Sequence, residues 1–266
     1  MINYRKGKER YKPNELGSLY VNTSALDDNE RPIIYIGGQM EYRLHIFEQT
    51  GITMDPGHNM FTGSWFYDYP IHSYDKSKIN AEAFAQNFIK SLDLANLHEI
   101  DVITSSFGGI IAALASKDKR VHKIYAIHPP ITGTPLANPS EMEKYKKLFT
   151  RYEKLLLKII KRVVNTDYGF LRDSYNGVDL RKVDLNKLIV IGSSLDSTKE
   201  NGIALGLYNM IKTMTNLEND GVVVFDEKKF NKLGINYIKE ETPTNHFNSC
   251  TEEAFYNAYR LSKMMK

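Results

Sequence analysis

Two adjacent serines, Ser105 and Ser106, stand between an apolar run (Ile100 to Ile103) and a small-residue run that begins Phe107-Gly108-Gly109. A serine hydroxyl is a weak nucleophile until a base takes its proton and amide donors receive the charge its attack creates. A sharp strand-to-helix turn exposes such a hydroxyl, and it calls for small residues two positions either side of the serine. Centred on Ser106 the pattern is Thr104-Ser105-Ser106-Phe107-Gly108, with Gly109 following to let the helix pack closely. Centring on Ser105 would put Phe107 where a small residue belongs, so Ser106 is the expected nucleophile. Thr104 stands where glycine is usual and should crowd the turn. A serine here could instead be a plain helix N-cap, although a cap alone requires no glycine pair.

The stretch "VITSSFGGIIAALASKDKRVHKIYAIHPPITGTPLA" resembles the core of the α/β-hydrolase lipases and esterases. There a strand, a serine elbow with a double glycine, a helix and a strand lead into a G-T-P-L-A segment, matched here by Gly133-Thr134-Pro135-Leu136-Ala137. The resemblance is clearest over residues 32–137 and returns at 217–248, whereas 138–216 does not match in detail. It implies the α/β-hydrolase fold, a mostly parallel central sheet with helices on both faces. It also implies hydrolysis of carboxylic esters through an acyl-enzyme, by a Ser-His-Asp catalytic triad and an oxyanion hole.

In that fold the triad runs serine, acid, histidine along the chain. His45, His58, His72, His98 and His122 precede the elbow or sit in helices and at strand starts, and His128 comes too early to be last. His246 is the remaining candidate, and Asn245-His246-Phe247 resembles the Asn-His-apolar catalytic turn of several lipases. Two aspartates compete for the acid. Asp196 follows "LIVIGSS", the ordinary place for it, and Asp220 lies in "ENDGVVVF", which resembles the N-D-G-x-V acid turn of lipases that carry G-T-P-L-A. Asp220 is the expected acid and Asp196 the alternative; their plain roles would be a hairpin turn and a helix cap. The oxyanion hole would use the amide of Phe107 and, by resemblance to the family's H-G-x, that of Gln39, with Gly37 in place of the usual histidine. The same glycines would also suit an ordinary turn with positive φ.

The elements that must position these residues can be read from the apolar patterns. Strands are expected at 17–22, in "PIIYIGGQM", "GSWFYDYP", "EIDVITS", "VHKIYAI", "NKLIVIGSS", "DGVVVF" and "INYIKEE". Helices are expected at 40–50, in "NAEAFAQNFIKSLDL", at Phe107–Ser116, near 201–215 and at about 251–264. Such alternation predicts an α/β protein with a parallel sheet. Residues 138–185 break the rhythm. From Leu148 to Val164 the apolar positions form one continuous helical stripe opposite lysines and arginines, read as a helical cap insertion within a single domain spanning 1–266. A core helix and an interfacial helix touching an anionic membrane surface are the other readings of this stripe.

Composition narrows the partners. A net charge of +3 gives no electrostatic case for nucleic acid, and one cysteine, Cys250, excludes an internal disulfide framework and a cysteine-rich metal site. No apolar run is long enough to span a membrane. The basic N-terminal stretch lacks the apolar core of a secretory signal, so the expectation is cytoplasmic, or secreted if a leader has been removed. The expected substrate is a small-molecule or lipid ester, and the chemistry needs no metal or organic cofactor. A thioesterase, amidase or acyltransferase could use the same triad, and a non-catalytic binding protein could use the same fold.

Overall fold

Apolar runs that can be buried on both faces become the strands of one sheet. In the computed structural model of the chain, residues 2–3, 17–21, 31–38, 64–69, 80–165, 174, 176–247 and 252–264 are described. The helix expected at 40–50, Gln39, and the histidines His45, His58 and His72 lie outside the described residues. The strands are β1 (Ile2–Asn3), β2 (Ser18–Val21), β3 (Ile33–Ile36), β4 (Ser64–Asp68), β5 (Ile100–Ser105), β6 (Val121–Ile127), β7 (Leu188–Gly192) and β8 (Asn236–Lys239). They form one sheet in the order β1-β2-β4-β3-β5-β6-β7-β8. β4, β3, β5, β6, β7 and β8 run parallel, and β2, with β1 alongside it, runs antiparallel to them.

The chain adds β4 on one side of β3 and then returns to place β5 on the other side. That reversal opens a crevice at the carboxyl ends of β3 and β5, where parallel sheets bind their ligands. Gly37 follows β3 and Ser106 follows β5, so the sequence motifs flank this crevice.

Helices cover both faces. Among the described residues they are α1 (Ala81–Leu94), α2 (Gly108–Ala115), α3 (Pro139–Tyr145), α4 (Arg151–Asn165), α5 (Gly202–Thr215), α6 (Glu227–Leu233) and α7 (Glu252–Met264). Ile34, Ile36, Val102, Ile124 and Val190 pack with Phe84 and Phe88 of α1, Ile111 of α2 and Phe230 of α6. The alternate residues Tyr35, Ile103, Tyr125, Ile127 and Ile191 pack on the opposite side with Ala258 of α7. The period of two along each strand thus supplies two cores.

A third apolar cluster stands apart from the sheet. Met142 of α3, Phe149, and Leu156 and Leu157 of α4 pack against Leu207, Met210 and Ile211 of α5. The helix expected from Leu148 starts later, at Arg151, so that Leu148 and Phe149 lie in the link after α3, which ends at Tyr145. A capping box fixes the later start: Glu153 N–H donates to Thr150 Oγ1 at 3.2 Å, and Thr150 N–H donates to Glu153 Oε2 at 2.7 Å. The segment "DGVVVF" also differs from expectation. It forms a turn closed by a single antiparallel bridge between Asn219 and Val224.

No helix among the described residues is long and apolar enough to cross a membrane.

Candidate active site

The turn after β5 holds Ser106 in a left-handed backbone conformation, φ 47°. Such a conformation costs a residue with a β-carbon roughly 1–3 kcal/mol and persists only where its surroundings enforce it. Ser106 N–H donates to Ile127 O at 2.8 Å, and Gly109 N–H donates to Ser106 O at 3.0 Å. α2 then leaves the turn against the strands so closely that side chains are excluded. A β-carbon on Gly108 would overlap Ile36 O and lie 2.6 Å from Gly37 O, and one on Gly109 would lie 2.5 Å from Pro129 Cβ.

The two neighbours of Ser106 play different parts. Ser105 is the last residue of β5 and fully buried, its Oγ 3.4 Å from Tyr35 Oη. Thr104 is also fully buried, and its Oγ1 has no hydrogen-bond partner among the described residues. Gly109 makes room for it, since a β-carbon there would lie 3.3 Å from that oxygen. An orphaned buried hydroxyl costs about 1–3 kcal/mol.

His246 reaches Ser106 from the loop between β8 and α7. Its Nε2 lies 2.8 Å from Ser106 Oγ and its Nδ1 lies 2.7 Å from Asp220 Oδ2. A carboxylate can only accept, so Nδ1 carries a hydrogen, and in the neutral ring this leaves the Nε2 lone pair toward the serine hydroxyl. The loop is pinned where it matters: His246 N–H donates to Asp220 O at 2.8 Å, and Asn245 Nδ2 donates to Glu200 Oε1 at 2.7 Å.

Asp220 is fully buried in its turn. Its Oδ1 accepts from Val222 N–H at 2.7 Å and Val223 N–H at 2.6 Å. Burial works to raise its pKa, but the charge of His246 and the hydrogen bonds from His128 and His246 outweigh that and hold it well below the usual carboxylate range. Asp196 is engaged elsewhere. Its Oδ1 accepts from Thr198 N–H at 3.0 Å and Thr198 Oγ1 at 2.6 Å, and its Oδ2 pairs with Lys199.

One residue of the site was passed over in the sequence. His128 follows β6 with its side chain 2% exposed and its backbone at φ 46°. Its Nδ1 lies 2.6 Å from Asp220 Oδ2 and its Nε2 lies 2.8 Å from Glu240 Oε2. Burial works against a charge on this ring, but the hydrogen bonds of Asp220 and Glu240 and their charges prevail and raise its pKa to about 9. Chain order argues only against His128 as the base. Its place at the carboxyl end of a central strand was the signal available for another role.

Phe107 follows the serine, and its amide belongs to the first turn of α2, where helix N–H groups and the helix dipole favour negative charge. Gly37, which follows β3, is tied to this turn through Tyr69. Tyr69 Oη donates to Gly37 O at 2.9 Å, and the Tyr69 and Phe107 rings are 5.9 Å apart.

The donor atoms of His128, Asp220 and His246 lie within 4.8 Å of one another, a grouping that could suggest a metal. The geometry fits protons better. Both Nδ1 atoms sit at hydrogen-bond distance from the same carboxylate oxygen, and a cation among them would have to displace both bridging hydrogens.

No protein-family model and no curated protein sequence matches the chain. Solved structures do. The mature form of the Bacillus licheniformis lipase BlEst2 is 15% identical, with a TM-score of 0.57 over 94% of this chain and 98% of that one. MGS-M2, an alpha/beta hydrolase enzyme from a Medee basin deep-sea metagenome library, is 10% identical, with a TM-score of 0.51 over 94% of this chain and 95% of that one. Together with the mostly parallel sheet, these likenesses establish the α/β-hydrolase fold.

Proposed function

We propose that this α/β-hydrolase fold houses a serine hydrolase that cleaves carboxylic esters through an acyl-enzyme. The observation that carries the reading is the unbroken chain from Ser106 Oγ through the His246 ring to buried Asp220, with contacts of 2.8 and 2.7 Å. An N-capping serine has no need of such a chain or of a strained backbone. The lipase BlEst2 among the similar structures supports the reading at the level of fold.

In the first half of the reaction, His246 Nε2 takes the Ser106 hydroxyl proton as Oγ bonds to the ester carbonyl carbon. The carbonyl electron pair moves to oxygen, and the amides of Phe107 and, from the β3 loop, Gln39 receive that charge. Asp220 keeps the ring in the Nδ1–H tautomer and stabilises the imidazolium. Collapse of the intermediate expels the alkoxide, which His246 protonates. Water repeats the sequence on the acyl-enzyme, releasing the acid and restoring Ser106. Thioesters, amides or an acyl acceptor other than water would use the same steps. The helices α3 and α4 are read as a cap that bounds the acyl side, in keeping with their separate apolar cluster on α5.

The test is hydrolysis of p-nitrophenyl esters of graded acyl length by the parent and by Ser106→Ala. A burst of nitrophenol matching the enzyme concentration, absent in the variant, supports the reading. Equal rates in the two proteins would sink it.

A further inference from the structure

We propose that His128 is a positioning residue that holds a standing positive charge against Asp220, the carboxylate it shares with His246, and so sets the pH range over which the site works. The inference rests on the esterase reading above and adds to it a control on the working pH of the site.

The charge follows from donors and acceptors. Both ring nitrogens of His128 face carboxylate oxygens, Asp220 Oδ2 at 2.6 Å and Glu240 Oε2 at 2.8 Å. Carboxylates accept and do not donate, so both contacts are hydrogen bonds only if both nitrogens carry hydrogen. A neutral ring would turn a lone pair onto one of the two carboxylates. Ser193 supports Glu240 from behind. Thr244 N–H donates to Ser193 Oγ at 3.0 Å, which leaves the Ser193 hydroxyl hydrogen to donate to Glu240 Oε2 at 3.0 Å. Glu240 Oε2 thus accepts from Ser193, and as an ionised carboxylate it also accepts from the ring.

The effect on His246 follows from sharing. Asp220 Oδ2 is the partner of both imidazoles, whose rings are 6.2 Å apart and nearly perpendicular at 80°. A proton arriving on His246 then meets a like charge beyond the carboxylate that should stabilise it. Among the described residues, the ionisable groups facing His128 are Asp220 from the acid turn, Glu240 from the end of β8 and His246 from the loop before α7. The backbone adds a reason to look for function here. His128 and Ser106 both adopt positive φ at neighbouring strand ends, a cost that a merely packed histidine would not incur.

The experiment compares pH–rate profiles for p-nitrophenyl butyrate between the parent and His128→Gln, which keeps a donor toward Asp220 and removes the charge. The expected result is a lower limb displaced upward by about one to two pH units, from a unit charge removed about 6 Å away, with the high-pH plateau within about tenfold. A plateau that falls while the limb stays in place would mean only structural support and would overturn the inference. Absence of Ser106-dependent hydrolysis in the parent would overturn the esterase reading and this inference with it. Should His128→Gln fail to fold, imidazole nitrogen NMR of the parent decides. A cationic His128 ring at pH 7.5 sustains the inference, and a neutral tautomer there overturns it.

Discussion

His128 and His246 direct their Nδ1 atoms at one oxygen, Asp220 Oδ2, from 2.6 and 2.7 Å. The Asp220 carboxylate is thus common to two rings, one against Ser106 and one against Glu240. Removing the carboxylate charge should disturb both at once, and this gives the first prediction. Asp220→Asn should lower turnover by about 10⁴, because the His246 ring loses the partner that fixes its tautomer. Asp196→Asn should stay within about tenfold, a loss near 1.4 kcal/mol, since among the described residues its carboxylate contacts Thr198 and Lys199. Steady-state kinetics read beside melting temperatures check both, and the reverse ranking would move the acid to Asp196.

Stability should carry the signature of His128. Its pKa is raised from 6.5 to about 9 in the folded chain, so the stability it contributes is complete below about pH 6.5 and is lost as pH rises through 9. Asp220 is shifted the other way, and its share is present above the ordinary carboxylate range and lost in strong acid. Melting temperature should therefore fall as pH rises from about 6.5 through 9. In His128→Gln that alkaline slope should flatten. A slope unchanged in the variant would show that another group causes it.

Centring of the elbow is tested by the two serines. Ser105→Ala should retain activity within about tenfold, because its hydroxyl is buried at the strand end near Tyr35. Ser106→Ala should be inactive with an unchanged melting temperature. A dead Ser105→Ala beside an active Ser106→Ala would place the nucleophile one residue earlier.

The close approach of α2 to β3 should be intolerant of a single methyl group. Gly108→Ala meets the carbonyls of Ile36 and Gly37, which are backbone and cannot swing aside. A loss of about 3 kcal/mol or more in urea unfolding is expected, at the upper end for an overpacked site.

On α4 the two sides of the stripe should respond differently. Leu156 is buried against α5, and Leu156→Ala should cost about 2–5 kcal/mol. Leu155 and Ile159 are about half exposed, so replacing both with alanine should leave the melting temperature nearly unchanged. If α3 and α4 form a cap, the same pair should alter acyl-length preference. Unchanged preference over the p-nitrophenyl series would argue against the cap.

The central strands were legible because parallel strands buried on both faces are written as apolar runs, as in β5 and β7. The start of α4 was not. Leu148 keeps the helical spacing although it lies in the link before the Thr150 cap, and an exposed leucine there has the same phase as a helical one. "DGVVVF" reads as a strand by its β-branched residues, but the Asp220 carboxylate takes the amides of Val222 and Val223 and diverts them from any ladder. Ser106, Asp220 and His246, which the fold brings together, could be picked out as candidates from the elbow, the chain order and the N-D-G turn. His128 could not be reached that way, because its partners Asp220 and Glu240 lie 92 and 112 residues along the chain.

The central claim is that Ser106 is made nucleophilic by His246, and fluorophosphonate labelling followed by intact mass and peptide mapping tests it most directly. The expected result is one adduct on the parent, mapped to Ser106, absent from Ser106→Ala and slowed by orders of magnitude in His246→Ala. A parent that takes up no label, or an adduct mapped to another residue, would contradict it.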